Sequence, residues 1–191
     1  MRKHEKPQRT SVPQPMSTMT LSEFRELEKQ DPYYESRWKY FKKVIGIINR
    51  ESFKSVLELG PYKQPIVHGS DIMDRRADFP NLTYEHDATN IPWPIKDKQY
   101  DLFIALQVWE HLEKNKQDAF KEVMRISKMA ILSFPLNWNF PGDCHDGITE
   151  KDIAEWTLNT SPVKKIKIKQ PRLFRKTHIW DRIIYFFKFA D

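Results

Sequence analysis

The sequence predicts an α/β domain built on a doubly wound, mostly parallel sheet that closes with an antiparallel pair of strands at one edge. Three observations predict it. Residues 100–108, YDLFIALQV, form an almost uninterrupted apolar run of strand length, the pattern of a central parallel strand covered on both faces. Through the middle of the chain strand-like runs alternate with helical ones, as they do when helices pack on the faces of such a sheet. The last two strand-like runs, 163–169 and 182–189, have only a turn-rich stretch between them and no helical pattern, which suits antiparallel neighbours.

Taken in order, residues 21–30 and 35–50 read as helices separated by Asp31-Pro32, the second setting Trp38, Phe41, Ile45 and Ile48 on one stripe. Residues 55–59 form the first strand, 70–73 a short second, 83–86 a third and 100–108 the fourth. A helix over about 116–127 turns Phe120, Val123 and Met124 inward. Residues 129–134 make the fifth strand, stopped by Pro135, and the aromatic loop LNWNFPGDCHDG follows. Thr149, with Asp152 three residues on, then opens a short helix as a capping box with Asp in place of the usual Glu or Gln. There is no internal repeat and no second domain.

A chain of 191 residues suffices for one well-buried core. Residues 1–19 are basic and rich in Pro, Ser, Thr and Gln, without the apolar stretch of a secretory signal, and are expected to form a disordered arm before a single domain over 20–191. The only cysteine, Cys144, cannot make an internal disulfide, which points to a reducing compartment and a cytoplasmic location. No apolar run approaches the ~20 residues of a membrane span. The net charge of +6 is concentrated: residues 1–9 carry four basic side chains and one acid, and residues 164–176 carry seven basic and no acidic ones, leaving a mildly acidic body. Such patches suit nucleic acid or a phosphorylated partner; a lysine-rich strand edge guarded against pairing explains the second equally well.

The stretch SVLELGPYKQP, residues 55–65, ends a strand on a lone glycine. A phosphate-cradling loop needs several glycines ahead of a helix N-terminus, which makes a nicotinamide or ATP loop a poor reading. A ligand carrying ribose and adenine but no phosphate needs less: one glycine for close approach, a carboxylate for the ribose hydroxyls and an acidic or amide edge for the adenine. Ligands of open α/β sheets lie beyond the carboxyl ends of the central strands. That rim carries Gly60, Asp74, Asp87 and Gln107.

The succession VLELG, GSDIMD, YEHDATNIPWPIKDKQYDLFIALQVWEHL and FKEVMRISKMAILSFP, over roughly residues 55–135, resembles the class I S-adenosylmethionine-dependent methyltransferases, in particular the methyltransferase type 11-like members. HDATNIPWPIKDKQYDLFIALQVWEHL carries the most specific part. CHDGITEKDIAEW and the closing RIIYFFK resemble bacterial members of surface-glycan and natural-product pathways. The resemblance implies a Rossmann-like fold and S-adenosyl-L-methionine as cofactor. It makes Glu58, Gly60 and Pro61 the first-loop contacts to the methionine end and Asp74 the ribose carboxylate, with Asp71 as its competitor by strand register. Asp87 and Ala88 would meet the adenine and Gln107 would line the cofactor floor. Where the family usually has a second glycine two residues after the first, this chain has Tyr62. The interval from Gly60 to Asp74 also leaves little room for the usual first helix.

Methyl transfer from a sulfonium depends mainly on in-line placement, and a hydroxyl acceptor gains further from a histidine base. His145, beside Asp146, and His111, in WEHL, are the candidates, with packing or helix capping as the structural alternative. Cys144 lacks the partner a nucleophile needs. No two histidines or acids have ligand spacing on one helix face, so no metal is expected. Trp138, Phe140, Trp156 and Trp109 either surround the acceptor or fill the core. The expected function is O-methylation of a small molecule such as a sugar, a sugar-containing metabolite or a nucleotide sugar. The alternatives are an RNA or protein methyltransferase that uses the basic patches, and a methyltransferase-like binding protein without turnover.

Overall fold

The structure is a computed structural model and describes residues 16–35, 37–169 and 181–190. Its helices are α1 (Leu21–Gln30), α2 (Trp38–Ile48), α3 (Lys116–Ile126) and α4 (Glu150–Trp156). Its strands are β1 (Val56–Leu59), β2 (Asp71–Asp74), β3 (Tyr84–Glu85), β4 (Tyr100–Leu106), β5 (Ser127–Pro135), β6 (Lys164–Ile168) and β7 (Arg182–Lys188). They form one sheet in the order β3-β2-β1-β4-β5-β7-β6. β1 to β5 pair in parallel, and β7 runs antiparallel to both β5 and β6. The doubly wound sheet with an antiparallel closing pair is therefore formed as expected.

β4 shows why no polar alternation marks the centre of the sheet. Successive side chains point to opposite faces. Leu102 and Ile104 pack with Phe24, Tyr40, Val44 and Ile47 of α1 and α2, while Phe103 and Ala105 pack with Phe120 and Val123 of α3. Both faces are dry, so both sets are apolar.

The covering of the sheet departs from simple strand–helix alternation. Among the parallel connections only the one from β4 to β5 carries an α-helix. Residues 60–70, between β1 and β2, form none, and α1 and α2, which precede the sheet in sequence, cover that face instead. On the opposite face the Pro-Trp-Pro segment stands beside α3, burying Trp93 and Ile95. Glu122 and Arg125 pin it there: Trp93 N–H donates to Glu122 at 2.7 Å, and Arg125 donates to Ile95 O at 2.7 Å and to Glu122 at 2.6 Å.

Several boundaries are corrected. Residues 16–19 are part of the fold, because Met19 is buried, Met19 N–H donates to Ile66 O at 2.8 Å and His68 N–H to Ser17 O at 2.8 Å. Residues 1–15 lie outside the described residues, as do 170–180, which include 170–176 of the second basic patch. The second helix starts at Trp38 because Asp31 first caps a 3-10 turn, Pro32–Tyr34, accepting from Tyr33 N–H at 2.8 Å. Its buried stripe is Tyr40, Phe41, Val44, Ile47 and Ile48, so Trp38 and Ile45 stand at the edge of the stripe expected for them. Thr20 and Thr149 both cap their helices through complete capping boxes. Among the described residues no helix is long and apolar enough to cross a membrane.

Candidate cofactor and acceptor site

β1 turns outward to β2 and β4 turns to β5, so the strand order reverses between β1 and β4. A crevice opens beyond their carboxyl ends. It holds a cavity of about 660 Å³. Gly60 lines it at φ 59°, in the left-handed region where a side chain is strained. A Cβ there would stand 3.3 Å from Val108 Cγ2.

Of the two competing carboxylates, only Asp74 reaches this cavity. It is buried, at the carboxyl end of β2. Its Oδ1 accepts from Arg76 N–H (2.9 Å) and Nε (3.1 Å), and its Oδ2 accepts from Arg76 Nη2 (2.9 Å). A carboxylate offers about four lone-pair sites, so Oδ2 keeps one for a ribose hydroxyl. Asp71 opens the same strand at the opposite end of the sheet, where it accepts from Tyr100 Oη at 2.6 Å and Thr83 Oγ1 at 3.3 Å. That position removes it as the ribose ligand.

Glu58 is also displaced from its expected place. It does not line the cavity; it is buried, and accepts from Ile66 N–H at 2.8 Å, Val67 N–H at 2.7 Å and Ser70 Oγ at 3.1 Å. It clasps the loop that replaces a crossover helix. Burial outweighs these donors and pushes its pKa up to about 7. Pro61 sits with Glu58 beside a smaller cavity and not on the main one. Tyr62 holds φ 64°, the conformation a glycine would take, and its ring lies against that of Tyr33, tilted by 36° with centroids 4.1 Å apart, while its hydroxyl donates to Asp31 at 3.1 Å.

Asp87 and Ala88 line the cavity beside Asp74. Asp87 Oδ1 accepts from Thr89 N–H at 2.9 Å and Thr89 Oγ1 at 2.8 Å, which draws its pKa below the ordinary carboxylate value. The other oxygen is left for a donor such as the adenine amino group. Gln107 holds φ 60° at the end of β4; its N–H donates to Ser133 O at 3.1 Å, and its side-chain Nε2 reaches Ser133 Oγ at 3.4 Å. Its Oε1 is buried without a hydrogen-bond partner among the described residues. An orphaned acceptor on a cavity wall asks for a donor from a ligand.

His111 and His145 line the same cavity, with Trp138. His111 ends a 3-10 turn after β4, and His145 lies in the loop after β5, where its ring stacks on Trp138 at 5.4 Å and 18°. The two imidazoles meet edge to face at 4.9 Å. Cys144 Sγ lies 3.3 Å from His111 Nδ1 and 3.4 Å from His145 Nδ1. Burial, reinforced by His145, holds the His111 pKa below its ordinary value. Asp146 is not the partner of His145: its carboxylate accepts from Phe140 N–H at 2.8 Å and closes the loop, while Asp143 takes the His145 Nδ1 contact. Of the four aromatic candidates only Trp138 lines the cavity. Trp109 is core, Phe140 packs on Trp138 at 6.0 Å and Trp156 on Phe134 at 6.2 Å.

The sequence reading missed Tyr33, Arg37, Arg75 and Arg76, all on the cavity wall, and Glu110 beside it. The pair Arg75-Arg76 directly after Asp74 was the one legible signal. Glu110 has a fully buried side chain, 3.7 Å from His145 Nε2, and neither carboxylate oxygen has a hydrogen-bond partner among the described residues. Burial pushes its pKa up to about 8 against the pull of Arg37, Lys116 and Arg182.

Comparison with known proteins agrees with this geometry. Residues 66–130, about a third of the chain, match the family described as a methyltransferase domain. The structure resembles the N-methyltransferase NodS of Bradyrhizobium japonicum at a TM-score of 0.57, with 12% identity over 85% of this chain and 99% of that one. It resembles an S-adenosylmethionine-dependent methyltransferase of Thermotoga maritima at 0.55, with 10% identity over 87% of this chain and 98% of that one. No curated protein sequence matches the chain. Residues 66–130 carry the methyltransferase-domain match, the described residues share the fold of these methyltransferases, and S-adenosyl-L-methionine is the cofactor that the match implies. The donor set fits that cofactor: Asp74 for the ribose, Asp87 for the adenine, and Gly60 with the orphaned Gln107 oxygen for the methionine end.

Proposed function

We propose that the protein methylates an oxygen of a small molecule, such as a sugar or a sugar-containing metabolite. The observation that carries the proposal is a single cavity lined both by Asp74 and Asp87, carboxylates that suit a nucleoside, and by Trp138, Tyr33, Arg37 and two histidines. Its volume of about 660 Å³ lies in the range of small-molecule sites. Trp138 and Tyr33 offer aromatic faces on which a ring can stack.

S-adenosylmethionine supplies an electrophilic sulfonium methyl group. The chain's own task is placement. Asp74 and Asp87 fix the nucleoside, Gly60 admits the methionine end, and Trp138 with Arg37 bounds the acceptor. His111 stands to take the acceptor proton, since its lowered pKa leaves the ring neutral near neutral pH. A nucleic acid partner gains little from the lysine-rich edge that is described, because Lys165 and Lys167 both pair with Glu150.

Isothermal titration with S-adenosylmethionine and S-adenosylhomocysteine tests the cofactor end. Micromolar binding is expected, weakened about tenfold or more in Asp74→Asn, since a hydrogen bond to a charged acceptor contributes about 1.5–3 kcal/mol. Asp71→Asn should leave affinity unchanged. Absence of heat from a protein folded by circular dichroism would overturn the reading. An acceptor screen with tritiated methyl donor, beginning with nucleotide sugars, tests the other end.

A further inference from the structure

We propose that His111, Cys144 and His145 bind a zinc ion at the acceptor end of the cavity. Spacing on a helix face cannot register it, because its ligands come from two loops. His111 comes from the turn after β4 and Cys144-His145 from the loop after β5, yet one ligand atom from each lies within 4.8 Å of the others. A tetrahedral zinc with Zn–S about 2.3 Å and Zn–N about 2.1 Å sets its sulfur and nitrogen ligands about 3.6 Å apart. The two observed Sγ···Nδ1 separations, 3.3 and 3.4 Å, approach that edge length, and metal binding requires Asp143 to release its contact with His145 Nδ1. Mixed thiolate and imidazole ligands favour zinc over the hard cations.

Glu110 is the second, independent observation. Its side chain is fully buried, and its oxygens have no hydrogen-bond partner among the described residues. Oε1 stands 3.7 Å from His145 Nε2, the ring nitrogen turned away from Cys144. Ligating histidines present their second ring nitrogen to a carboxylate in this way, which fixes tautomer and orientation.

The supporting loop is built to hold its shape. Asn137 N–H donates to Ile148 O at 2.8 Å, Gly147 N–H to Trp138 O at 2.8 Å and Asp146 N–H to Asp143 O at 3.0 Å. Three protein ligands leave the fourth position of a tetrahedral zinc open. Because His111 and His145 line the cavity, an acceptor hydroxyl can occupy it and release its proton to bulk water. This deepens the methyl-transfer reading, on which it rests for the acceptor's role: the metal takes the place of a free imidazole base. The test reads the metal without any cofactor, so the two readings fail separately.

Cobalt(II) titrated into the full-length, chelator-stripped chain reports the ligand set. One equivalent should produce tetrahedral visible bands and a thiolate-to-cobalt charge-transfer band, and zinc should displace it. Cys144→Ser, on an exposed loop and checked for fold by circular dichroism, should lose the charge-transfer band. Glu110→Gln should weaken zinc affinity about 10–100-fold. A wild-type spectrum without the charge-transfer band, or one that persists in Cys144→Ser, overturns the proposal. Cofactor binding measured on the same samples then shows whether the methyltransferase reading stands regardless.

Discussion

Replacing Glu58 by glutamine separates a cofactor ligand from a loop clasp. Glutamine keeps one acceptor oxygen but turns an NH₂ toward a backbone N–H, either Ile66 or Val67, that now donates to the carboxylate. Leaving one of these buried N–H donors without an acceptor costs about 1–3 kcal/mol. At about 2–4 °C per kcal/mol for a chain of this size, the melting temperature should fall by about 2–12 °C. The deficit should also depend on pH. Below the ordinary value of 4.5 the folded and unfolded chains both carry the Glu58 proton, and between 4.5 and about 7 only the folded chain keeps it. Wild-type stability therefore declines as pH rises through that window, by up to about 3 kcal/mol at about 1.4 kcal/mol per pH unit. The glutamine variant has no such slope, so its deficit is greatest near the acid end of the window and shrinks above it. Urea unfolding followed by circular dichroism at several pH values measures this, beside titration with S-adenosylmethionine. Affinity should change less than about threefold, because Glu58 lines none of the main cavity. A variant of unchanged stability that has lost cofactor binding would refute the clasp.

Gly60→Val forces a β-branched residue to φ 59° and its Cβ to within 3.3 Å of Val108. A loss of about 1–2 kcal/mol and a weaker cofactor site are expected in melting and titration, with Gly60→Ala milder. Glu122→Gln should cost about 2–3 kcal/mol at neutral pH by loosening the Pro-Trp-Pro segment. Arg125 holds the Glu122 pKa below its ordinary value, so this contribution is present above about pH 4.5 and lost as pH falls through the lowered value. The variant and wild type should converge in acid unfolding curves, and parallel curves would count against the ion pair.

Parts of the site were legible because their signals are local. Gly60, Asp87, Ala88 and Gln107 all line the cavity where strand ends put them, since a strand that ends at a known residue delivers its next side chain to the rim. The choice between Asp71 and Asp74 was not local. The two residues are three apart, at opposite ends of one short strand, and the pairing of Leu57 with Asp71 and Leu59 with Met73 decides which end meets the crevice. Glu58 looked like a ligand because an acidic residue two before a glycine on a strand end is shared by binding loops and by clasps. Whether it points to a cofactor or to Ile66 and Val67 depends on the path of the following loop.

The sequence by itself determined the central strand, the Thr149 capping box and the antiparallel closing strands. Each is an arrangement of neighbouring residues whose physics is complete within a few positions. Only the tertiary structure decided that α1 and α2 cover the face left bare by residues 60–70, that Asp143 rather than Asp146 accompanies His145, and that Glu110 is buried against that ring. The same holds for the meeting of His111 with Cys144, 33 residues apart. These contacts join segments remote in the chain, and their geometry is set by the pairing of strands between them, which no run of neighbouring residues encodes.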